Sequence, residues 1–309
     1  MKNKTNFMTK TWVIVVGAMI CCTLWGSAFP CIKIGYRMME IAAADTASQI
    51  LYAGYRFTLA GVLTIVLGSI LQRKILLPKR SSIGKIGLLS LLQTVLQYLF
   101  FYIGLAHTTG VKASIIEAVS TFVAILVAGY LFHQETVTSR KMLGCLIGFA
   151  GVVLVNVAGS GMDFHFSPAG DGCILLSTVA YAFSSVCMKR FSQKEDPVML
   201  SGYQFILGGI VMIVCGAAMG GHLKAFTASA AALLIYMAMI SAVAYSLWGM
   251  LLKYNPVSKV TVFGFMNPVI GVILSALLLN ETESLGVSSV LALGLVCVGI
   301  YIVNAKDKD

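Results

Sequence analysis

Two charged side chains lie within stretches of the chain that are otherwise apolar. Arg56 interrupts the run from Ile50 to Leu71, and Glu117 lies a few residues into a later run. A guanidinium can bind a carboxylate through two parallel hydrogen bonds, and a carboxyl group can meet an amine or exchange a proton. An arginine near the centre of a bilayer costs at least about 2.5 to 3.5 kcal/mol. Each charge therefore needs a partner, a wet cavity or a route to an interface.

Three interpretations of these two charges stay open from the sequence. Arg56 and Glu117 lie at similar predicted depths from the same side, so they could form a structural ion pair. They could instead contact a ligand, with Arg56 binding a carboxylate and Glu117 meeting an amine or a coupling proton. In the third interpretation, each side chain extends separately toward the interface.

Polar and aromatic residues recur at helical spacing in other apolar runs. Spacings of three and four residues place the members of each of these sets on one helix face: Gln93 and Gln97; Ser177, Tyr181 and Ser185; Ser241, Tyr245 and Trp248. Such faces should point toward neighbouring helices or a cavity. A hydrogen bond between helices explains any single Ser or Gln, whereas the recurrence in several runs favours a cavity.

Aromatic residues could form walls for an apolar or cationic part of a ligand. Trp25 and Trp248 are the strongest candidates, since tyrosines near the ends of apolar runs are typical of interfacial belts. The full set of candidate binding residues is Trp25, Tyr55, Arg56, Gln97, Glu117, Tyr181, Tyr203, Tyr245, Trp248 and Asn267.

Two glycine–proline pairs predict weak points in helices, Gly26-x-x-x-Pro30 and Gly264-x-x-x-Pro268. Proline lacks the backbone N–H and crowds the carbonyl four residues earlier, so each pair predicts a kink. The kink could be structural, with the freed carbonyl satisfied by a neighbour such as Asn267. Alternatively, Pro30, Gly264 and Pro268 act as hinges or expose backbone to a substrate.

The composition is that of an integral membrane protein. Hydrophobic residues make up 58% of the 309 residues and charged residues 11%, against about 25% charged in soluble domains. The net charge of +10 comes from lysines and arginines gathered in short segments between apolar runs. That distribution is typical of orientation signals, so nucleic-acid binding is not expected.

Runs of about 20 apolar residues are typical of membrane helices. Ten are predicted, at 12–33, 49–71, 85–105, 113–132, 141–158, 170–190, 199–220, 230–252, 257–279 and 285–304. Most lysines and arginines fall on the side that holds both termini, which predicts cytoplasmic termini in a plasma or inner membrane.

No pattern for catalysis, a metal or a cofactor is present in the sequence. The eight cysteines lie within apolar segments, without C-x-x-C or a histidine at metal-ligand spacing. Neither a P-loop nor a hydrolase or metalloprotease motif occurs. We therefore expect no catalytic residue, no metal and no cofactor. Small-residue pairs such as Gly144-x-x-x-Gly148 permit close helix packing but do not decide an oligomeric state.

The two halves of the chain resemble each other. "AGYRFTLAGV" at 53–62 matches "SGYQFILGGI" at 201–210, and "YLFFYIGLAHTTGVK" at 98–112 matches "YSLWGMLLKYNPVSK" at 245–259. Arg56 corresponds to Gln204, and Glu117 to Phe263 or Gly264, so both charges are absent from the second copy. The predicted organisation is an N-terminal segment 1–11, repeats at 12–158 and 170–304, a connector 159–169 and a C-terminal segment 305–309.

Each predicted repeat has five helices, and an odd number makes the second copy enter the membrane from the opposite face. The predicted fold class is an all-α integral membrane protein with ten transmembrane helices in two inverted five-helix repeats.

The sequence resembles the drug/metabolite transporter superfamily, EamA type. The resemblance lies in the ten segments in two copies, in "LWGSAF" in the first segment and in "NPVIGVILSALLLNE" in the ninth. The first copy departs from the pattern, with Thr121-Phe122 where the second has Asn267-Pro268. The resemblance implies a secondary transporter of small metabolites with a cavity lined by helices one to four and six to nine. It also implies export, most simply of an amino acid or related zwitterion.

Other functions stay open from the sequence. The same machinery could carry a quaternary amine, a nucleobase, a vitamin precursor or a drug. A membrane enzyme or a channel are alternatives of another class. The expected partners are a small-molecule substrate and the lipid bilayer, with protons as a candidate coupling ion.

Overall fold

The computed structural model describes residues 7–42, 44–105, 107–108, 110–157, 167–224, 227–279 and 287–305. All regular elements within these ranges are helical. Most of the predicted connector, the Asn-Glu pair that ends the ninth predicted segment and the last residues of the chain lie outside the described residues.

The helices are numbered in chain order. Uninterrupted helices are α1 (Thr11–Met38), α2 (Thr46–Leu71), α3 (Arg80–Leu105), α5 (Ser139–Val157), α6 (Pro168–Ser192), α7 (Pro197–Ala218), α8 (Ala228–Tyr254) and α10 (Val287–Asn304). Segmented helices are α4 (Gly110–Ala118, Ser120–Leu126, Val127–Leu131) and α9 (Val257–Thr261, Val262–Phe265, Met266–Leu279).

By length and composition, α1, α2, α3, α6, α7 and α8 can each cross a membrane. A helix satisfies most of its backbone hydrogen bonds internally, which is what the interior of a bilayer requires. The chain is therefore a multi-pass membrane protein, as the composition predicts.

Two helices begin earlier than the apolar runs alone indicate. The Asp45 carboxylate accepts a hydrogen bond from the Ser48 backbone N–H at 3.0 Å and caps α2. Asp196 caps α7 through the Val198 and Met199 N–H groups, and Pro197 occupies the first helical position. Short polar residues at the N-cap satisfy orphan N–H groups, so they extend both helices by a few residues toward their polar ends.

Glycines bring α2 and α7 into backbone contact. A Cβ atom added at Gly54 would lie 2.6 Å from the Ile213 nitrogen, and one at Gly61 would lie 2.5 Å from the Gly202 carbonyl oxygen. Residue numbers rise along α2 as they fall along α7, so the two helices are antiparallel. Near the centre of this interface the buried rings of Phe57 and Phe205 stack, 5.3 Å apart and within 6° of parallel.

The α5–α10 pair is built in the same way. A Cβ at Gly144 would lie 2.9 Å from the Gly299 carbonyl oxygen, and one at Gly151 would lie 2.7 Å from the Ala292 carbonyl oxygen. These helices are also antiparallel. Gly144 and Gly148 therefore serve packing within the chain, with Gly148 facing Phe265.

The remaining helix contacts come in matched sets. Helix α1 packs on α8 and α9, as α6 packs on α3 and α4, and α2 packs on α8 as α7 packs on α3. Exchanging the first five helices for the second five leaves this set of contacts unchanged. The two halves thus present equivalent surfaces to each other.

Polar contacts tie the loops together on the side where α4, α6 and α8 end. Glu135 accepts hydrogen bonds from the Ser258 backbone N–H, the Ser258 hydroxyl and Lys141 Nζ, joining the α4–α5 loop to the start of α9. Lys85 in α3 donates to the Glu195 carboxylate in the α6–α7 loop at 2.6 Å. That hydrogen bond lowers the pKa of Glu195 from its ordinary value.

The α2–α7 contact predicts a strong effect of a single methyl group. Gly61→Ala should lower the free energy of unfolding by about 1 to 3 kcal/mol, because the added Cβ meets backbone that cannot move aside. Gly87→Ala in α3 is the matched control, since nothing lies within 4 Å of its added Cβ. Thermal unfolding in detergent would measure both, and equal midpoints would contradict this account of the interface.

The Lys85–Glu195 pair predicts a pH-dependent contribution to stability. Because the pKa of Glu195 is lowered from 4.5, the contribution is present above that value and lost as the pH falls through the folded-state pKa. Lys85 is partly exposed, so the pair is worth less than about 1 kcal/mol. Glu195→Gln should be less stable than wild type at pH 7 and equally stable near pH 3, as measured by chemical denaturation. A difference that persists at pH 3 would point to lost packing instead.

Candidate functional site

A cavity of about 160 Å³ lies among α1, α2, α3, α4, α6, α8 and α9. The structure brings eight of the ten predicted binding residues to its wall, together with two of the three predicted hinge residues: Trp25, Arg56, Gln97, Glu117, Tyr181, Tyr245, Trp248, Asn267, Gly264 and Pro268. Helix α7, which the family resemblance implies as a lining helix, contributes no wall residue.

Arg56 reaches the cavity from α2 and is held by α8. Its Nε and one terminal nitrogen donate to the Ser241 hydroxyl oxygen at 3.4 and 3.1 Å, and only 3% of the residue is exposed. A guanidinium has five N–H groups, so most of its donors stay available. Within the described part of the chain no carboxylate forms an ion pair with Arg56.

The repeat relates this contact to an uncharged one between α7 and α3. Gln204, the counterpart of Arg56, accepts a hydrogen bond from the Thr94 hydroxyl at 2.7 Å through its side-chain oxygen. Thr94 and Ser241 are 147 positions apart, the spacing that relates the two copies. A side-chain hydrogen bond therefore links equivalent helices in both halves, α2 to α8 and α7 to α3, and only the first of these bonds involves a cation.

Glu117 lies at the end of the first segment of α4, beside a break in that helix. The Val119 N–H bonds to the Ile116 carbonyl, a tight three-residue turn, and α4 resumes at Ser120. Proline is absent here, in contrast to α9, where a 3₁₀ turn precedes the segment that contains Pro268. Among the described residues no donor contacts the Glu117 carboxylate, although Arg56 lines the same cavity.

Aromatic rings form the rest of the wall. The Trp25 ring meets Tyr245 and Trp248 edge-on, with centroids 5.0 Å apart in both pairs. The hydroxyl groups of Tyr98 and Tyr245 are 3.0 Å apart and hydrogen-bonded. Tyr98 and Tyr245 are repeat counterparts, so this bond joins equivalent positions of the two halves in the cavity wall.

Several polar atoms in the wall are buried without a partner in the described part of the structure: Trp25 Nε1, Gln97 Oε1, Trp248 Nε1 and Asn267 Oδ1. A buried polar atom without a hydrogen bond costs about 1 to 3 kcal/mol. Two donors and two acceptors that all lie around one cavity indicate that it holds water or a polar ligand.

Two predicted binding residues and one predicted hinge lie elsewhere. Tyr55 is 43% exposed on the outer face of α2, because it is rotated about 100° around the helix from its neighbour Arg56. The Tyr203 hydroxyl donates to the Leu76 carbonyl oxygen and anchors the loop after α2. Pro30 is buried within α1, which continues without interruption to Met38.

The sequence interpretation missed several wall residues. Tyr98, Phe101, Ser120 and Thr178 line the cavity beside the predicted ones. A signal for two of them was present, because Tyr98 and Phe101 are the repeat counterparts of Tyr245 and Trp248. The repeat therefore predicts both of them from residues already identified in the second half.

Comparison with known proteins gives the family of this chain. The EamA-like transporter family model matches residues 12–157 and again residues 168–305. The chain belongs to the EamA-like transporter family. This confirms the resemblance drawn from the two copies and from the patterns in the first and ninth predicted segments.

Relatives of similar length are named as transporters. An uncharacterized transporter of Archaeoglobus fulgidus is 27% identical over 303 residues, covering 96% of this chain and 99% of the relative. The uncharacterized transporter YvbV of Bacillus subtilis is 26% identical, covering 92% and 89%. The uncharacterized inner membrane transporter YedA of Escherichia coli K12 is 28% identical, covering 92% and 90%.

A solved crystal structure has the same fold. It is 16% identical in sequence and superposes with a TM-score of 0.77, covering 94% of this EamA-like chain and 96% of the other chain. At this identity the likeness concerns the fold alone.

The hydrogen bond between Tyr98 and Tyr245 predicts a non-additive effect on stability. Tyr98→Phe and Tyr245→Phe should each lower the free energy of unfolding by about 1 kcal/mol, because each removes the same hydrogen bond. The double variant should lose little more than either single variant. Chemical denaturation of all four proteins measures the coupling, and simple additivity would show that the hydroxyl groups do not bond to each other.

Proposed function

We propose that this EamA-like protein is a secondary transporter that exports a small zwitterion, such as an amino acid, by alternating access. The observation that carries the proposal is the cavity wall. It presents the Arg56 guanidinium and the Glu117 carboxylate, which do not pair with each other in this conformation. A zwitterion would supply a carboxylate to the first and an ammonium group to the second.

The size and lining of the cavity suit such a solute. A volume of about 160 Å³ is close to that of cavities that hold a benzene-sized molecule. The unpartnered atoms Trp25 Nε1 and Asn267 Oδ1 would bond polar groups of the solute, while the aromatic rings would cover its apolar part. A small amino acid combines these features.

Alternating access is supported by the relation between the two halves. We infer that α1–α5 and α6–α10 are inverted repeats of five membrane-crossing helices each. The two separate family matches, the antiparallel α2–α7 and α5–α10 pairs and the matched helix contacts all support this. Inverted repeats can rock about a central site, which exchanges its two openings.

We further propose an orientation of the protein in the membrane and a source of energy for transport. The basic loops after α2, α4, α6 and α8 support cytoplasmic termini, and a relative named as an inner membrane transporter supports a plasma or inner membrane location. The substrate gradient or proton exchange would supply the energy. Glu117 is the group that a coupling proton would meet.

A cationic solute without a carboxylate is the second candidate. Rings of Trp25, Tyr245 and Trp248 close together favour an ammonium group. Arg56 favours the zwitterion over the cation, because a buried guanidinium beside the site would repel a cation that brings no carboxylate.

Exchange assays in proteoliposomes test the proposal. The protein is screened for counterflow of the twenty L-amino acids, with quaternary amines and nucleobases alongside. Wild type should exchange a subset of the amino acids, whereas a channel would show no counterflow. Arg56→Gln and Glu117→Gln should each reduce exchange by about ten- to a hundredfold, the loss expected for one hydrogen bond to a charged group.

Matched controls separate binding from folding. Arg190→Gln makes the same change at an exposed arginine outside the cavity and should leave exchange unchanged. Arg56→Gln should not weaken binding of the amine that lacks only the carboxylate of the best amino acid. If Arg56→Gln and Glu117→Gln both exchange at the wild-type rate, the zwitterion site does not exist.

A further inference from the structure

A seven-residue stretch of α3, Ser90–Leu96, is wound as a π-helix. Such segments are rare, usually short and often found at functional sites. The stretch and the residue after it carry four buried polar side chains, with exposed fractions of 2% for Ser90, 3% for Gln93, 0% for Thr94 and 9% for Gln97. So many buried polar groups on one membrane helix need hydrogen-bond partners.

Two of these groups lack partners in the described structure. The Oε1 atoms of Gln93 and Gln97 are both buried and accept no hydrogen bond. The residues are four positions apart, so they lie about one turn apart on the same face of α3. Gln97 lines the cavity, and Gln93 therefore continues that face beyond the cavity, toward the start of α3.

Helix α7 adds a donor next to this face. Thr94 donates to Gln204 Oε1, which leaves the amide nitrogen of Gln204 buried without a partner. Gly208 lets α7 approach closely, since a Cβ there would lie 3.0 Å from Ser90 Oγ. The α3–α7 contact thus holds an unpartnered donor, next to the helix face that carries the two unpartnered acceptors.

Three of the polar residues of α3 have apolar counterparts in α8. With the repeat spacing of 147 positions, the counterparts of Ser90, Gln93 and Gln97 in α8 are Met237, Ile240 and Ala244. Hydrocarbon side chains are sufficient for packing at these three positions, although the neighbouring contact between Arg56 and Ser241 is polar. The amides of α3 are therefore not a requirement of the fold, and they occur only on the side where α3 begins.

We propose that Gln93, with Gln97 and Gln204, forms a second binding station for the polar solute on its path between the cavity and the end of the protein where α3 begins. The proposal rests on the transport function proposed above. In the present conformation the station is buried, and one polar atom of each of its three amides lacks a partner among the described residues. When this half opens, water and then the solute supply the missing hydrogen bonds.

Access of a water-soluble reagent tests the station without knowledge of the substrate. Gln93→Cys and the matched Ile240→Cys are treated with methanethiosulfonate ethylammonium in membrane vesicles, and modification at each position is measured by mass spectrometry. Residue 93 should be modified at least about tenfold faster than residue 240, since only the first lies on a path that hydrates. Equal rates, or no modification at residue 93, would overturn the proposal.

A second variant separates a station from a structural role. Gln93→Leu removes an unpartnered acceptor, so it should raise the thermal midpoint by about 2 °C or more. Amino-acid exchange should fall about five- to tenfold, because the moving solute loses one hydrogen bond. Binding at the cavity, followed by the fluorescence of Trp25 and Trp248 in a Trp12→Phe background, should stay unchanged.

Failure of the second binding station and failure of the transport proposal would give different results. A Gln93→Leu protein that exchanges at the wild-type rate, or that loses both stability and exchange, would show that Gln93 has only a structural role. A wild-type protein that exchanges no amino acid would overturn the zwitterion proposal instead. The reagent assay still decides whether the path beside Gln93 opens to water.

Discussion

The backbone contact between α2 and α7 is the constraint on which the rest of the structure depends. Glycines at Gly54, Gly61, Gly202 and Gly209 let two equivalent helices meet antiparallel with their backbones close together. Lipid gives no hydrophobic drive for helices to associate, so close packing has to hold them together. This contact joins the first half of the chain to the second, and both halves supply residues to the cavity wall.

The cavity combines a repeated frame with a few residues that break the repeat. Tyr98 and Tyr245 correspond between the halves, as do Phe101 and Trp248, and all four line the cavity. Arg56 and Glu117 have no charged counterpart, since Gln204 and Gly264 or Phe263 occupy the equivalent positions. The repeated residues favour no orientation of a bound solute. Arg56 and Glu117 would favour one orientation of a solute whose two ends differ in charge.

Much of this could be predicted from the sequence because membrane helices are specified by long apolar runs and their faces by spacing. Arg56 and Glu117 were identifiable since a charge within such a run is costly. The contrast between Tyr55 and Arg56 was not identifiable by residue type, because adjacent residues on a helix point about 100° apart and only packing decides which one faces inward. The break at Val119 had no proline to signal it, and the α3 π-helix had no marker in the sequence.

The hydrogen bond between Tyr98 and Tyr245 joins two chemically identical groups. Either hydroxyl can donate to the other, and reversing the roles requires only that two protons rotate. Only the surroundings differ, since Tyr98 packs against Phe57 and Tyr245 against Trp25 and Phe205. In the cavity wall, the two halves are thus joined by a hydrogen bond in which residue type does not decide which half donates.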